Sequence, residues 1–424
     1  MIQRLFVALT ITAGRSLAQQ TGISGRLTDP SSATLTHAIV SVRGDDGAKL
    51  ETITNAQGIY QFPSLRAGKY VLRFDAPGFA PAERTLSLLV GQVAAVDVTL
   101  QLATAASSIA VESIAAAVDT TSSTVAGDVS PSEVARVPLN GRNYLQLAMM
   151  VPGITNNTVT NSPLGATDSG KLQINVDGQQ VTQNSASDGF GEPQYSQDAI
   201  DQFQIITNRF DATLGRSSRM QVNVQTKSGG NNLHGTLYGY FRNDAFNASD
   251  PVAHRVLPFS DQQFGGTVGG PIRKDKLFFF FAYEGERQPT TIFNAPTGFG
   301  GVSYNFANEL RTDTYLLHSD WAINGAQRLS VRATGYTWHV PFNNVTGSSS
   351  PTRATDSTRT SYAVLGTWIW TLSPALVNDV KVGFNLRLAE HSAHTKSGIS
   401  LAHHHYRRTL QLPATTRSER LSIP

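Results

Sequence analysis

Residues 270–287 read GPIRKDKLFFFFAYEGER. Four consecutive phenylalanines follow a charged turn, so a strand here carries large rings on both of its faces. A half-buried strand of a water-exposed sheet alternates apolar and polar residues instead. Sorted by the two-residue period, Lys276, Phe278, Phe280, Ala282, Glu284 and Glu286 share one face. Leu277, Phe279, Phe281, Tyr283 and Gly285 share the other. The first face has charges at both ends and is expected to look inward, with its rings against a filled interior. The second carries no charge and has Tyr283 near its end, as expected of a lipid-facing surface with an aromatic residue at the membrane boundary. Arg273-Lys274-Asp275 then forms the charged turn at the membrane edge.

Neighbouring segments repeat the pattern. Over 233–242, Leu233, Gly235, Leu237, Gly239 and Phe241 oppose His234, Thr236, Tyr238, Tyr240 and Arg242. Over 329–334, Leu329, Val331 and Ala333 oppose Ser330, Arg332 and Thr334. Over 380–387, Val380, Val382, Phe384 and Leu386 oppose Lys381, Gly383, Asn385 and Arg387. Strands of about 6 to 10 residues with period-two segregation are expected of an outer-membrane barrel. Tight turns at 323–326 and 372–374 and a long polar loop over 341–360 fit a barrel with short turns on one side and long loops on the other. A sheet with one wet face shares the alternation and is the alternative on pattern alone.

Composition agrees with surfaces that do not all face water. The 424 residues are 40% hydrophobic and 15% charged, against about 25% charged in an ordinary soluble domain. A net charge of +3, with no basic helix face, argues against a nucleic-acid partner. The absence of cysteine excludes a disulfide framework, a thiolate metal site and a thiol nucleophile. At the N-terminus, Arg4, an apolar run over 5–14 and the step Ser16-Leu17-Ala18 form a secretory signal layout with cleavage after Ala18; a short buried helix is the alternative. No later window offers the roughly 18 apolar residues of a membrane helix.

Between the signal and the barrel, seven short strand patterns at 23–27, 38–43, 49–54, 59–63, 70–76, 84–88 and 94–102 are separated by turn residues, which predicts a small β-sandwich. Residues 104–129 are rich in Ala, Ser, Thr and Val without aromatics and read as a linker. Ser130, Pro131 and Glu133 predict a capped helix start, and a second helix is expected over 143–150. Strands follow at 172–176, 203–207 and 221–226, with Asp177-Gly178 as a turn.

Two resemblances attach to these residues. NAQGIYQF and GKYVLRFDAPGF resemble the carboxypeptidase regulatory-like domain, a transthyretin-like sandwich without catalytic residues. VPLNGRNYLQLAMMVPGI, INVDGQQ, DAIDQFQIITNRFDATLGRSSRMQVNVQTKSGGNNLHGTLYGYFRND, QFGGTVGGPIRKDKLFFFFAYEGERQ and TWIWTLSPALVNDVKVGFN resemble, in order, the plug and first barrel strands of TonB-dependent outer-membrane receptors, closest to the Oar-like branch. The resemblance implies a mainly β chain. Its parts are a signal peptide at 1–18, a regulatory-like β-sandwich at 19–103, a linker at 104–129, an α/β plug at 130–230 and a partial outer-membrane antiparallel β-barrel at 231–424. It implies no cofactor and three partners: the TonB inner-membrane energising complex, outer-membrane lipid and an extracellular ligand. By association, the first domain points to large polymers, carbohydrate among them. TonB captures a segment before the plug by strand addition, for which Ile109, Val111 and Glu112 are the candidates. Leu139-Asn140-Gly141-Arg142 matches the plug motif, with a structural or conformational role expected.

No chemistry of an enzyme is visible. A zinc peptidase needs a His-x-x-Glu pair, and none of the ten histidines is followed by Glu three positions on. The clusters His391/His394 and His403-His404-His405 read as a solvated polar tract or a metal site, and Asp177 and Asp45-Asp46 as turn residues or calcium ligands. A barrel of this family has about 22 strands, whereas the residues after 230 suffice for roughly eight. From 390 onward the alternation fades, so a truncated or frameshifted copy is expected. A surface β-rich adhesion protein without transport is the rival reading.

Overall fold

A computed structural model describes residues 21–44, 49–103, 110–113, 125–137, 139, 142, 144–151, 172–181, 195–208, 220–249, 256, 259–294, 304–343, 354–373, 376–393, 409–411 and 416–419. The signal layout, Asp45-Asp46, Ile109, Asn140, Gly141, His394 and residues 403–405 lie outside them.

The first body is a sandwich of strands β1 (Gly22–Thr28), β2 (Ile39–Gly44), β3 (Lys49–Ile53), β4 (Ile59–Phe62), β5 (Gly68–Asp75), β6 (Ala82–Leu88), β7 (Val93–Ala95), β8 (Val98–Thr99) and β9 (Ala110–Ser113). One sheet has the order β3-β2-β5-β6-β9; in the other, β4 and β7 flank β1, which also pairs with β8. In β5 the sequence alternates as it must: Tyr70, Leu72 and Phe74 are buried while Lys69, Val71 and Arg73 are exposed. They join Ile23, Leu27, Val40, Tyr60, Leu86 and Leu100 in one core. The expected last strand over 94–102 divides into β7 and β8, where Val96 turns its carbonyl to the Tyr60 hydroxyl, 2.6 Å away. Gly25 permits that approach, since a Cβ there would stand 1.9 Å from the Val96 oxygen.

The second body contains β10 (Val125–Val129), α1 (Pro131–Arg136), β11 (Leu172–Val176), β12 (Gln179–Gln180), β13 (Ile200–Asn208) and β14 (Met220–Thr226), in the sheet order β10-β13-β14-β11-β12. Ser130 and Glu133 form the reciprocal cap of α1, and Pro131 occupies its first turn. The helix expected over 143–150 is a 3-10 helix, Tyr144–Met150. Its three-residue repeat stacks Tyr144 over Leu147, both buried, against Phe203.

The third body is an antiparallel meander: β15 (His234–Asn243), β16 (Ser260–Arg273), β17 (Leu277–Asn294), β18 (Tyr304–Asn324), β19 (Gln327–Asn343), β20 (Thr355–Ser373) and β21 (Leu376–Ala393). Two short strands, β22 (Thr409–Gln411) and β23 (Thr416–Glu419), pair with β21. β21 thus runs past residue 390, where the alternation fades. Strands of 14 to 21 residues from β16 to β21 exceed the expected 6 to 10. Only about 9–11 residues cross a bilayer; beyond them a strand carries no alternation to read.

The four rings of the opening stretch divide as the period demands. Phe278, Phe280 and Ala282 are buried at 1% exposure, whereas Phe281 is exposed. Phe280 and Ala282, with Leu316 of β18, belong to the same apolar core as Ile174, Phe203 and Val222 of the inner sheet. The outward face carries two aromatic rows. Tyr283, Tyr315, Gly335 and Tyr362 are successive register partners, and Gly335 leaves room for the rings on either side, 3.3 to 3.5 Å from where its Cβ would be. Leu277, Trp321, Leu329 and Trp368 form the second row. The rows are about 20 Å apart along the strands. Between them Phe281, Leu317, Val331 and Val364 are exposed, as in the apolar band of an outer-membrane wall.

Candidate functional site: the seam between inner sheet and wall

The inner sheet meets the wall through buried charges. Asp177 and Gly178 both have positive φ, 49° and 85°, and form the two-residue turn joining β11 to β12. The turn lies against β19. Arg332, 1% exposed, donates from Nη1 to the Val176 carbonyl at 2.6 Å and to Asp177 Oδ2 at 3.1 Å, and from Nη2 to Gln179 Oε1. Asp177 also accepts from the Thr226 backbone N–H at 3.0 Å and the Thr226 hydroxyl at 2.7 Å. Burial pushes the Asp177 carboxyl upward, but Arg332, His318 and Arg66 outweigh it and hold the group below the usual carboxylate range. Gln179 reaches further, donating to Asn385 Oδ1 at 3.1 Å on β21.

A second clamp uses Arg142, whose φ is 51°. Its guanidinium pairs with Asp198 of the inner body and, at 3.3 Å, with Glu284 of β17. It also lies 4.6 Å from the Tyr238 ring centroid and 4.4 Å from that of Tyr240. Glu284 accepts further hydrogen bonds from the Tyr238 hydroxyl at 2.7 Å and Ser196 Oγ at 3.0 Å. Of the four residues matching the plug motif, the described two therefore behave differently: Arg142 crosses to the wall, and Leu139 packs on the inner core. Val111 and Glu112 lie in β9, in parallel register with Glu83 and Arg84 of β6. Arg332 and His318 escaped sequence reasoning as site residues. Their one signal was a polar residue on the inward parity of a membrane strand. Among the described residues no cluster of three or more metal-binding side chains occurs.

Among the described residues, a nine-stranded antiparallel sheet with aromatic rows outside and an ion-paired domain on its inner face has the architecture of part of an outer-membrane β-barrel. Comparison with known proteins agrees. Residues 22–101 match the carboxypeptidase regulatory-like domain, and residues 225–299 an outer membrane beta barrel domain. The chain is similar to the TonB-dependent transporter Oar of Myxococcus xanthus, 27% identical over 248 residues, and the barrel-domain match puts it in the cell outer membrane. The match covers 54% of this chain and 23% of that relative's length. Among solved structures, the outer membrane transporter YddB of Escherichia coli aligns over 65% of this chain and 42% of its own, with TM-score 0.48 and 13% identity. A variant of the ferric enterobactin receptor PfeA of Pseudomonas aeruginosa aligns over 67% and 44%, with TM-score 0.45 and 14% identity. The Myxococcus xanthus relative is a transporter by name.

Proposed function

We propose that the chain works as a TonB-dependent outer-membrane receptor: the inner body is its plug, expected over 130–230 and extended by β10 into the expected 104–129 linker to begin at Val125, and a ligand passes when TonB displaces that plug. The observation that supports this most is the polar seam, in which Arg332 with Asp177 and Arg142 with Glu284 join plug to wall. Such pairs exchange for water on separation at small net cost, whereas an all-apolar seam would resist it. TonB would engage the 109–113 segment by adding a strand to Val111 and Glu112. Binding of the periplasmic domain of TonB to the detergent-solubilised chain, measured by calorimetry, tests this. Val111→Pro removes a backbone donor and should weaken binding about tenfold, the equivalent of one good hydrogen bond with its geometry. Unchanged affinity in Val111→Pro would move the contact elsewhere; no binding by the wild-type chain would overturn the receptor reading and favour adhesion.

A further inference from the structure

One corner of the sandwich, residues 63–67 between β4 and β5, reaches both other bodies. Arg66 Nη2 donates to the Thr226 carbonyl of the inner sheet at 2.9 Å. Its Nη1 lies 3.0 Å from His318 Nε2 and pairs with Asp320 Oδ1 at 3.4 Å, both on β18 of the wall. The His318 ring carries the contact onward, with Nε2 also 2.9 Å from Ser330 Oγ and Nδ1 3.1 Å from Thr226 Oγ1. The Thr226 hydroxyl passes the chain on to Asp177. One guanidinium thus connects sandwich, inner sheet and wall, and its side chain is 22% exposed.

Two further contacts fix the corner. Ala67 N–H donates to Gln225 Oε1 and Gln225 Nε2 donates to the Ala67 carbonyl, each at 2.9 Å, so that Gln225 pairs with the sandwich backbone as a neighbouring strand would. In the turn between β6 and β7, Gly91 lies so close to Gln204 of β13 that a Cβ would stand 2.7 Å from its Oε1. Within the sandwich the Tyr70 hydroxyl braces the Arg66 carbonyl at 2.8 Å.

We propose that the N-terminal sandwich locks the inner domain in its seat, with Arg66 as the bolt across the seam between inner domain and wall. The docking stands on this geometry; its purpose, control of plug release, rests on the receptor reading. β9 is an edge strand of the same sandwich, paired from Ala82–Ala110 to Thr85–Ser113. Tension applied at Val111 and Glu112 therefore loads the sandwich before it reaches the inner sheet, and withdrawal of Arg66 precedes movement of Asp177 away from Arg332. Arg66 is a positioning residue and touches no ligand in this scheme.

Hydrogen exchange by mass spectrometry on the full chain in detergent micelles tests the lock. In Arg66→Ala, exchange over residues 63–68 and 226–230 should rise about tenfold, while β5 of the sandwich and β11 of the inner sheet stay as protected as in the wild type. Arg66→Lys keeps one charge but a single compact donor group, so it should fall between the two. Gln225→Ala, a change outside the sandwich, should release the same two segments. The proposal is overturned if those segments exchange at the wild-type rate in all three variants. It is equally overturned if β5 itself loses protection in Arg66→Ala while Gln225→Ala is silent, since Arg66 would then serve only the sandwich fold. The TonB calorimetry reads separately: no TonB binding with intact release keeps the lock and removes its purpose.

Discussion

A cation buried as deeply as Arg332 is tolerable because its two Nη groups end on three acceptors of one hairpin, the Val176 carbonyl, Asp177 and Gln179, although its Nε finds no partner. Arg332→Ala leaves the Asp177 carboxylate buried beside the gap and should destabilise the seated inner domain by about 3–5 kcal/mol at neutral pH. Asp177 has a depressed folded-state proton affinity. Its contribution is therefore complete above the ordinary carboxylate value and is lost as pH falls through the lower seated value. The cost of Arg332→Ala should shrink along the same limb, because a protonated Asp177 no longer needs a counter-charge. Urea unfolding in micelles at several pH values checks both; a cost independent of pH would show that Arg332 acts by packing alone. Turn chemistry made Asp177-Gly178 legible in the sequence, but not its partner. Arg332 and Val176 are 156 positions apart, and no local period links them.

At the scale of the strand, the two faces of β17 predict opposite responses to the same truncation. Phe280→Ala opens a cavity between wall and inner core and should cost about 3–5 kcal/mol. Phe281→Ala faces lipid, where acyl chains refill the space, and should cost less than about 1.5 kcal/mol on the transfer scale. Equal costs in thermal unfolding in lipid vesicles would mean that the strand is not flanked by lipid on one side. The inward and outward assignment of Phe278, Phe280 and Tyr283 was legible because a period of two survives even where both faces are apolar. Strand length was not. The stretch Gln288-Pro289-Thr290-Thr291 of β17 has no hydrophobic contrast between its faces, so the pattern marks only the part that crosses the membrane.

For the whole molecule, the four tryptophans report orientation in the bilayer. Trp321, Trp368 and Trp370 lie near the tight turns, with Trp368 stacked on Trp370 at 5.6 Å on the outward face. Trp338 sits on the inward parity under Arg359, whose guanidinium lies 4.1 Å from the ring centroid. In single-tryptophan variants, brominated lipids should quench Trp321, Trp368 and Trp370 strongly and Trp338 weakly; strong quenching of Trp338 would turn the wall inside out. The β class, the sandwich and the membrane wall could be read from alternation and turn residues, because these are local. The joining of three bodies at Arg66 could not, since its partners come from residues 226, 318 and 320.

The unequal division of β18 about Tyr315 has a consequence for access. From residue 304 to 314 the strand continues past the outer aromatic row for roughly 35 Å at about 3.3 Å per residue. With a tilt of about 40° it rises some 25 Å above the lipid. Together with β17 and β19, which run beside it, it makes a stiff palisade. On the receptor reading proposed above, a visitor would descend along this palisade before meeting Arg142 or the tyrosines at its foot. Bulk, rather than affinity, would then be the first criterion of admission, and a large particle adsorbed at the crest would be kept a full strand-length away from the bilayer.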